Sequence, residues 1–297
     1  MKREKFFNIV LVFVFILGLS LLLYPSISNF WNGVHQSKVI TEYSNGLTEM
    51  DRERYASISE TAKDYNRRLA DGTSSLSDLM EEYPDTLDPM GAGTMGYIKI
   101  PSISCTLPIA HGTDESVLQD SIGHVEWSSL PTGGPDTHCV LSGHRGLPSA
   151  ELLTNIDHME VGDTFSLHIL NEVLEYQVDE INVVEPNDSS KLQIEPGMDF
   201  VTLLTCTPYG INTHRLLVRG RRIEQDGANI ADINASVHNE IEVVSSAFTV
   251  PVLFSLFIAG LAIVYVTANI VVKKKYQPKR IASQSAENGD LNHEEYL

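Results

Sequence analysis

The chain has 297 residues, 42% hydrophobic and 20% charged, with 39 Asp+Glu against 21 Lys+Arg and a formal net charge of −18. Outside residues 1–30 and 273–297 the imbalance is steeper, 34 acidic to 13 basic, which argues against a nucleic-acid-binding surface. With no C-x-x-C, no H-E-x-x-H, no recognisable calcium loop and no Gly-rich phosphate loop, no metal and no cofactor is expected.

Residues 1–30 open with Lys2, Arg3 and Lys5, followed by an apolar run from Phe6 to Leu23. That run is long enough for a spanning helix or a signal peptide. No A-x-A-like cleavage site follows, Ser26-Ile27-Ser28 being a poor substitute, so an uncleaved anchor is expected. Residues 31–80 form a helical preface. From Gln36 to Leu69 the pattern is helical, and Ile58, Ala62, Tyr65 and Leu69 build one apolar stripe. Asp71-Gly72 supplies the stop.

Residues 81–96 (EEYPDTLDPMGAGTMG) hold two prolines and three glycines and read as a loop. Within 97–225, short β-like runs follow one another: Tyr97–Ile100, Thr106–Ala110, His138–Ser142, Thr164–Leu170, Val173–Val184, Phe200–Thr205 and Arg215–Arg222. Strands this short and frequent predict a mainly β fold, a barrel or sandwich. The missing βαβ rhythm argues against a parallel sheet.

After a linker over 226–246, residues 247–272 carry no charge and are long enough for a second membrane span. Lys273, Lys274, Lys275, Lys279 and Arg280 open the tail, 273–297. Basic residues at the outer ends of both spans place both termini in the cytoplasm and the acidic middle outside. An odd cysteine count there leaves a free thiol. Cys105 and Cys139 lie in β-like runs and read as buried small hydrophobes, a disulfide between them being the alternative.

The chemistry concentrates in TLLTCTPYGINTHRLLVRGRR, residues 202–222. One β-like run delivers Cys206 at its end, a turn with Pro208, Gly210 and Asn212 follows, and Arg215 opens the next run. Such a hairpin brings a thiol and a guanidinium into one groove. A cation beside a thiol favours thiolate and binds the oxygen of an acyl group under attack, which points to covalent acyl transfer at Cys206. An acid or base is then needed. Among ten histidines, His144 follows a β-like run in a Gly-flanked turn, a setting that distinguishes it only slightly from His111 or His124. His214, next to Arg215, falls on the opposite face by strand alternation.

The hairpin resembles the active-site hairpin of sortases, the membrane-bound cysteine transpeptidases of Gram-positive bacteria, with TLxTC followed by an Arg. TCTPYGxNTHRLLVRG is similar to the pilin-polymerising class, class C, and HxVLSGHRGLPSA resembles the family's catalytic His segment. The resemblance implies a closed sortase-type β-barrel preceded by helices and a lid loop and flanked by two transmembrane helices. It implies Cys206 as nucleophile, His144 as acid and base, and Arg215 as the holder of the substrate carbonyl. Thr205, directly before Cys206, is a candidate helper in substrate binding. Asp88-Pro89-Met90 resembles the class C lid motif, in which Asp lies near the Arg and the third residue near the Cys. Met90 replaces a residue that is commonly aromatic.

On this reading the partners are pilin subunits carrying LPxTG-like sorting signals and acceptor lysines. A housekeeping sortase that attaches surface proteins to a cell-wall precursor is the enzymatic alternative. A non-catalytic membrane-tethered binding module is the alternative of another class.

Overall fold

A computed structural model describes residues 2–223 and, beyond them, the helical residues Ile258, Gly260 and Tyr265. The chain divides into two compact units, Leu21–Ala235 and Met1–Ser20 with Ser236–Leu297. In the latter, residues 2–20 are helical. The helix α1 runs Lys2–Glu49 and, among the described residues, is the one long and apolar enough to cross a membrane. The expected linker, second span and tail (226–246, 247–272, 273–297) lie outside the described residues save those three.

Toward its C-terminal end α1 packs one face on the core. Ile40, Tyr43 and Leu47 are buried at spacings of three and four, each contributing about 1.5–3 kcal/mol if fully buried. The Tyr43 hydroxyl donates to the Met95 carbonyl (2.9 Å) and accepts from Leu170 N–H (2.7 Å). Burial pushes its pKa upward.

The helical pattern of 36–69 breaks at Asp51, whose carboxylate accepts from Arg54 N–H at 2.7 Å and caps a second helix, α2 (Arg52–Asp71). At its other end Gly72, with φ +62°, closes the helix where Asp71-Gly72 promised a stop. Of the expected stripe, Ala62 and Tyr65 are buried, while Ile58 and Leu69 pack on the same core. Asn66 ties α2 to the barrel: its amide donates to Leu130 O (3.0 Å) and Thr132 Oγ1 (2.9 Å), and its carbonyl accepts from Leu130 N–H (2.7 Å). A short α3 (Leu76–Glu82) follows.

Eight strands then close a barrel: β1 (Thr94–Ile100), β2 (Cys105–His111), β3 (Ile122–His124), β4 (Thr137–Ser142), β5 (Thr164–Ile169), β6 (Glu172–Val184), β7 (Asp199–Thr207) and β8 (His214–Arg222). Their order is β1-β2-β3-β4-β7-β8-β6-β5, with β5 returning to β1. All seven expected runs are strands. β3 is the addition, three residues around Gly123, whose Cβ would meet Gly112 O at 2.3 Å. Such a strand exists only through tertiary pairing.

Two neighbours run parallel, β2 with β3 and β4 with β7. The remaining pairs are antiparallel, so the barrel is not a parallel sheet. The connection from β4 to β7 carries the β5–β6 hairpin, which pairs with β1 and β8 instead, so no βαβ rhythm was needed.

Alternate residues fill the barrel, among them Ile98, Ile109, Leu141, Phe165, Leu203 and Val218. Phe165 stacks on Tyr176 (5.6 Å), and only a glycine at 220 leaves it room, since a Cβ there would meet the Phe165 ring at 2.5 Å. Cys105 and Cys139 are free thiols, not a disulfide. Burial pushes Cys105 up to about 12 and raises Cys139 as well.

Candidate active site

Strand register brings the candidate residues to one end of the barrel. Cys206, near the end of β7, is paired with Arg215, near the start of β8, and directly opposed residues of an antiparallel pair share a face. That face is the outer one: Thr205 alternates inward and is fully buried. Leu204 shares the outer face with Cys206. It packs with Val140, Leu217 and Leu192 in a second apolar cluster outside the barrel. Cys206 and Arg215 therefore stand at the end of an apolar floor.

His144 arrives from the other side of β7. In the parallel β4–β7 pair, Ser142 lies opposite Leu204, and Gly143 N–H extends the ladder by donating to Leu204 O at 3.0 Å. His144 and Cys206 each stand two residues beyond that last couple, on adjacent chains leaving the same end of the barrel. The imidazole Nε2 faces Glu115 Oε2 at 3.2 Å. Glu115 opens a one-turn helix, α4 (Glu115–Leu118), and its exposure makes this a weak pair. Arg215 is half-buried, and its Nη1 donates to the carbonyls of His214 (3.2 Å) and Asn212 (3.5 Å). His214 instead approaches Glu185 at 3.4 Å.

Thr205 is the expected helper in substrate binding. Its side chain is sealed inside the barrel, where Oγ1 donates to Gly143 O at 2.7 Å. The hydroxyl does not face the side on which Cys206 and Arg215 lie. It holds the turn that carries His144.

The Asp88-Pro89-Met90 segment is also placed differently from the expected lid. The Asp88 carboxylate accepts from its own loop, Ala92 N–H (3.1 Å) and Gly93 N–H (2.9 Å). Pro89 is buried, and its carbonyl accepts from Arg54 Nη2 at 3.1 Å. Met90 lies on Gly46 of α1, so close that a Cβ at 46 would meet its sulfur at 2.2 Å. These contacts tie the segment to α1 and α2. None joins it to Arg215 or Cys206. The loop is also shorter than 81–96, because α3 takes its start and β1 its end. The Met90 thioether seats on a helical glycine.

Sequence reasoning passed over Arg145. Its guanidinium is nearly buried and paired with Asp157. Nε donates to Thr154 O (3.1 Å), Nη1 donates to Thr207 Oγ1 (3.3 Å), and the Tyr209 ring lies 6.0 Å away. Tyr209 also covers Gly146, with ring carbon 2.7 Å from where a Cβ would stand. The loops after His144 and after Cys206 are thus clamped together. The available signal was a charged residue inside a Gly-flanked turn. Glu115, 29 residues upstream of His144, carried none. Among the described residues no group of His, Cys, Asp and Glu is arranged to hold a metal.

Comparison with known proteins decides the family. A sortase-domain model matches residues 98–223, which takes in β7, β8 and the His144 turn. Sortase C1 from Streptococcus agalactiae is 49% identical, with 64% of this chain and 100% of that one covered at a TM-score of 0.61. The chain belongs to the sortase family. Clostridium perfringens sortase C, solved with the C-terminal cell wall sorting motif, is 41% identical over 63% of this chain and 99% of that one, TM-score 0.57. Among curated proteins, sortase A of Bacillus anthracis is 26% identical over 220 residues, 74% of this chain and 96% of that protein. The structural neighbours of this sortase include class C enzymes, and sortases are cysteine transpeptidases.

Proposed function

We propose that this sortase polymerises pilins. In the first half-reaction Cys206 Sγ attacks the Thr carbonyl of an LPxTG-like signal near the C-terminus of a secreted pilin. The C–S bond forms, the Thr–Gly bond breaks, and His144 gives a proton to the leaving Gly amine. In the second, a lysine amine of another pilin attacks the thioester and loses its proton to His144. The C–S bond breaks, an isopeptide bond forms, and the thiolate is restored beside the protonated His144. Arg215 holds the carbonyl oxygen in both steps, with two parallel N–H donors that an ammonium cannot reproduce.

The observation that carries this reading is the pairing of Cys206 with Arg215 across β7 and β8, with His144 on the parallel neighbour at the same end. The apolar floor of Val140, Leu204 and Leu217 suits an extended apolar peptide leading up to the thiol. Likeness to sortase C1 at 49% identity supports the pilin class over a housekeeping role. A membrane-held enzyme, anchored by residues 1–30 and 247–272 with the barrel outside, meets a substrate tethered in the same bilayer at high effective concentration.

The test offers the full-length enzyme a pilin with and without its acceptor lysine. Lysine-dependent ladders on a denaturing gel support polymerisation. Cleavage that leads only to transfer onto a cell-wall precursor, lysine or not, favours the housekeeping alternative.

A further inference from the structure

The stretch of α1 just beyond the apolar run has two unlike faces. Asn29, Asn32 and Gln36, at spacings of three and four, face the barrel. Asn29 Nδ2 donates to Glu151 Oε2 (3.2 Å), and its carbonyl accepts from Glu151 N–H (2.9 Å). Asn32 donates to Ser149 O (2.9 Å), and Gln36 donates to Asp120 O (2.8 Å). Tyr24, Ile27, Trp31 and Val34 recur at three, four and three on the opposite face. They are 54, 53, 73 and 51% exposed. At 100° per residue the two sets centre about half a turn apart.

Such a stripe of large apolar side chains needs a cover. Three observations identify it. The stripe begins one residue after Leu23, where the apolar run ends, on the same helix. No Asp, Glu, Lys or Arg occurs from Phe6 to Ser37, so this is a part of a strongly acidic protein that an anionic surface does not repel. Its aromatic members are Tyr and Trp, the residues that settle at headgroup level. Pro25 stands at the junction. It removes the hydrogen bond to the Leu21 carbonyl and is where a helix bends.

We propose that Tyr24, Ile27, Trp31 and Val34 lie on the lipid headgroup region as an interfacial amphipathic helix. The opposite face holds the 149–151 and Asp120 segments, and through them the surroundings of His144, on the side turned from the lipid. At 1.5 Å per residue Val34 stands about 16 Å beyond Leu23 along the helix, more than one headgroup layer is deep. The helix therefore leaves the bilayer inclined, with this face down. The inference rests on residues 6–23 being a membrane anchor and is independent of the reaction.

The test uses the full chain with Trp127→Phe, so that Trp31 is the sole indole, in phosphatidylcholine vesicles. Lipids brominated near the glycerol end of their acyl chains should remove most Trp31 emission, and aqueous iodide should remove little. Ile27→Glu with Val34→Glu should reverse that order while the protein still resists alkaline carbonate extraction. Iodide quenching without bromolipid quenching in the unsubstituted stripe overturns the proposal. So does protection from both, which would mean that a second copy or another protein segment covers the stripe. Extraction of the unsubstituted chain by carbonate overturns the anchor and the stripe with it, leaving the transpeptidase reading untouched.

Discussion

Arg145 donates to the Thr207 hydroxyl at 3.3 Å, which ties the residue after His144 to the residue after Cys206. The spacing of imidazole and thiol therefore depends on a side chain that takes no part in the chemistry. Arg145→Ala is expected to lower kcat by about 10–100-fold, on the scale of a small misplacement of reacting groups, with KM little changed. Removing hydrogen bonds from a charged donor also destabilises the fold by about 1.5–3 kcal/mol. Arg145→Lys keeps the charge but loses the fork and restores little. Steady-state kinetics beside thermal melts separate the two effects. Unchanged kcat in a folded Arg145→Ala protein would mean that the clamp is not needed.

Thr205→Val keeps the shape of the buried side chain but leaves Gly143 O without its 2.7 Å donor. An unsatisfied buried carbonyl costs about 1–3 kcal/mol, and the His144 turn loosens. Thr205→Ser keeps the donor and should retain most activity. Equal activities of the Val and Ser variants would remove this hydroxyl from the positioning of His144.

Met90 seated on Gly46 leads to a prediction opposite to that of a lid. Met90→Ala should cost about 1–3 kcal/mol through lost packing and leave the alkylation rate of Cys206 unchanged. Cys105 and Cys139, held protonated by burial, should stay unlabelled in the native protein. Faster Cys206 labelling in Met90→Ala would show that the segment does cover the groove.

Acid should destabilise this fold well above the carboxylate range. Burial pushes His124 and His168 each down to about 4. Tyr83 Oη and Ser129 O hold His124 at 2.9 Å on either side, as a neutral ring. Because the folded values lie below the ordinary 6.5, the unfolded chain binds protons first. The contribution is complete above pH about 6.5 and is lost as pH falls toward 4, on the order of 3 kcal/mol for His124. Melting temperature should fall across that window. His168→Phe, which keeps a ring against Tyr97, should flatten part of the slope. An unaltered slope would put the proton uptake elsewhere.

Much of this architecture is legible from the chain. Alternation and turn residues locate seven strands, and Asp71-Gly72 stops α2 where a left-handed glycine is required. Cys206 and Arg215 can be paired from the hairpin alone, because antiparallel register follows from local turn geometry. His144 is different. Its place beside Cys206 depends on the parallel β4–β7 pairing across more than fifty residues, which no local pattern encodes, so only resemblance singled it out from His111 and His124. Those two prove to be internal structural groups: His111 ring nitrogens face Thr86 O and Gly93 O, and His124 is fully buried. The inward Thr205 and the Met90 seated on Gly46 were not legible, because alternation and helix packing decide which way a side chain points, whatever motif surrounds it.

The central claim is that Cys206 carries the acyl group while His144 and Arg215 serve it. Intact-mass spectrometry of the enzyme mixed with an LPxTG-like peptide tests this most directly. The account predicts an adduct of the fragment through Thr on Cys206, absent in Cys206→Ala. It also predicts formation slowed about 10²–10³-fold in Arg215→Lys, the usual effect of losing one oxyanion donor. An adduct that persists in Cys206→Ala, maps to another residue, or forms at full speed with Lys at 215 would contradict it.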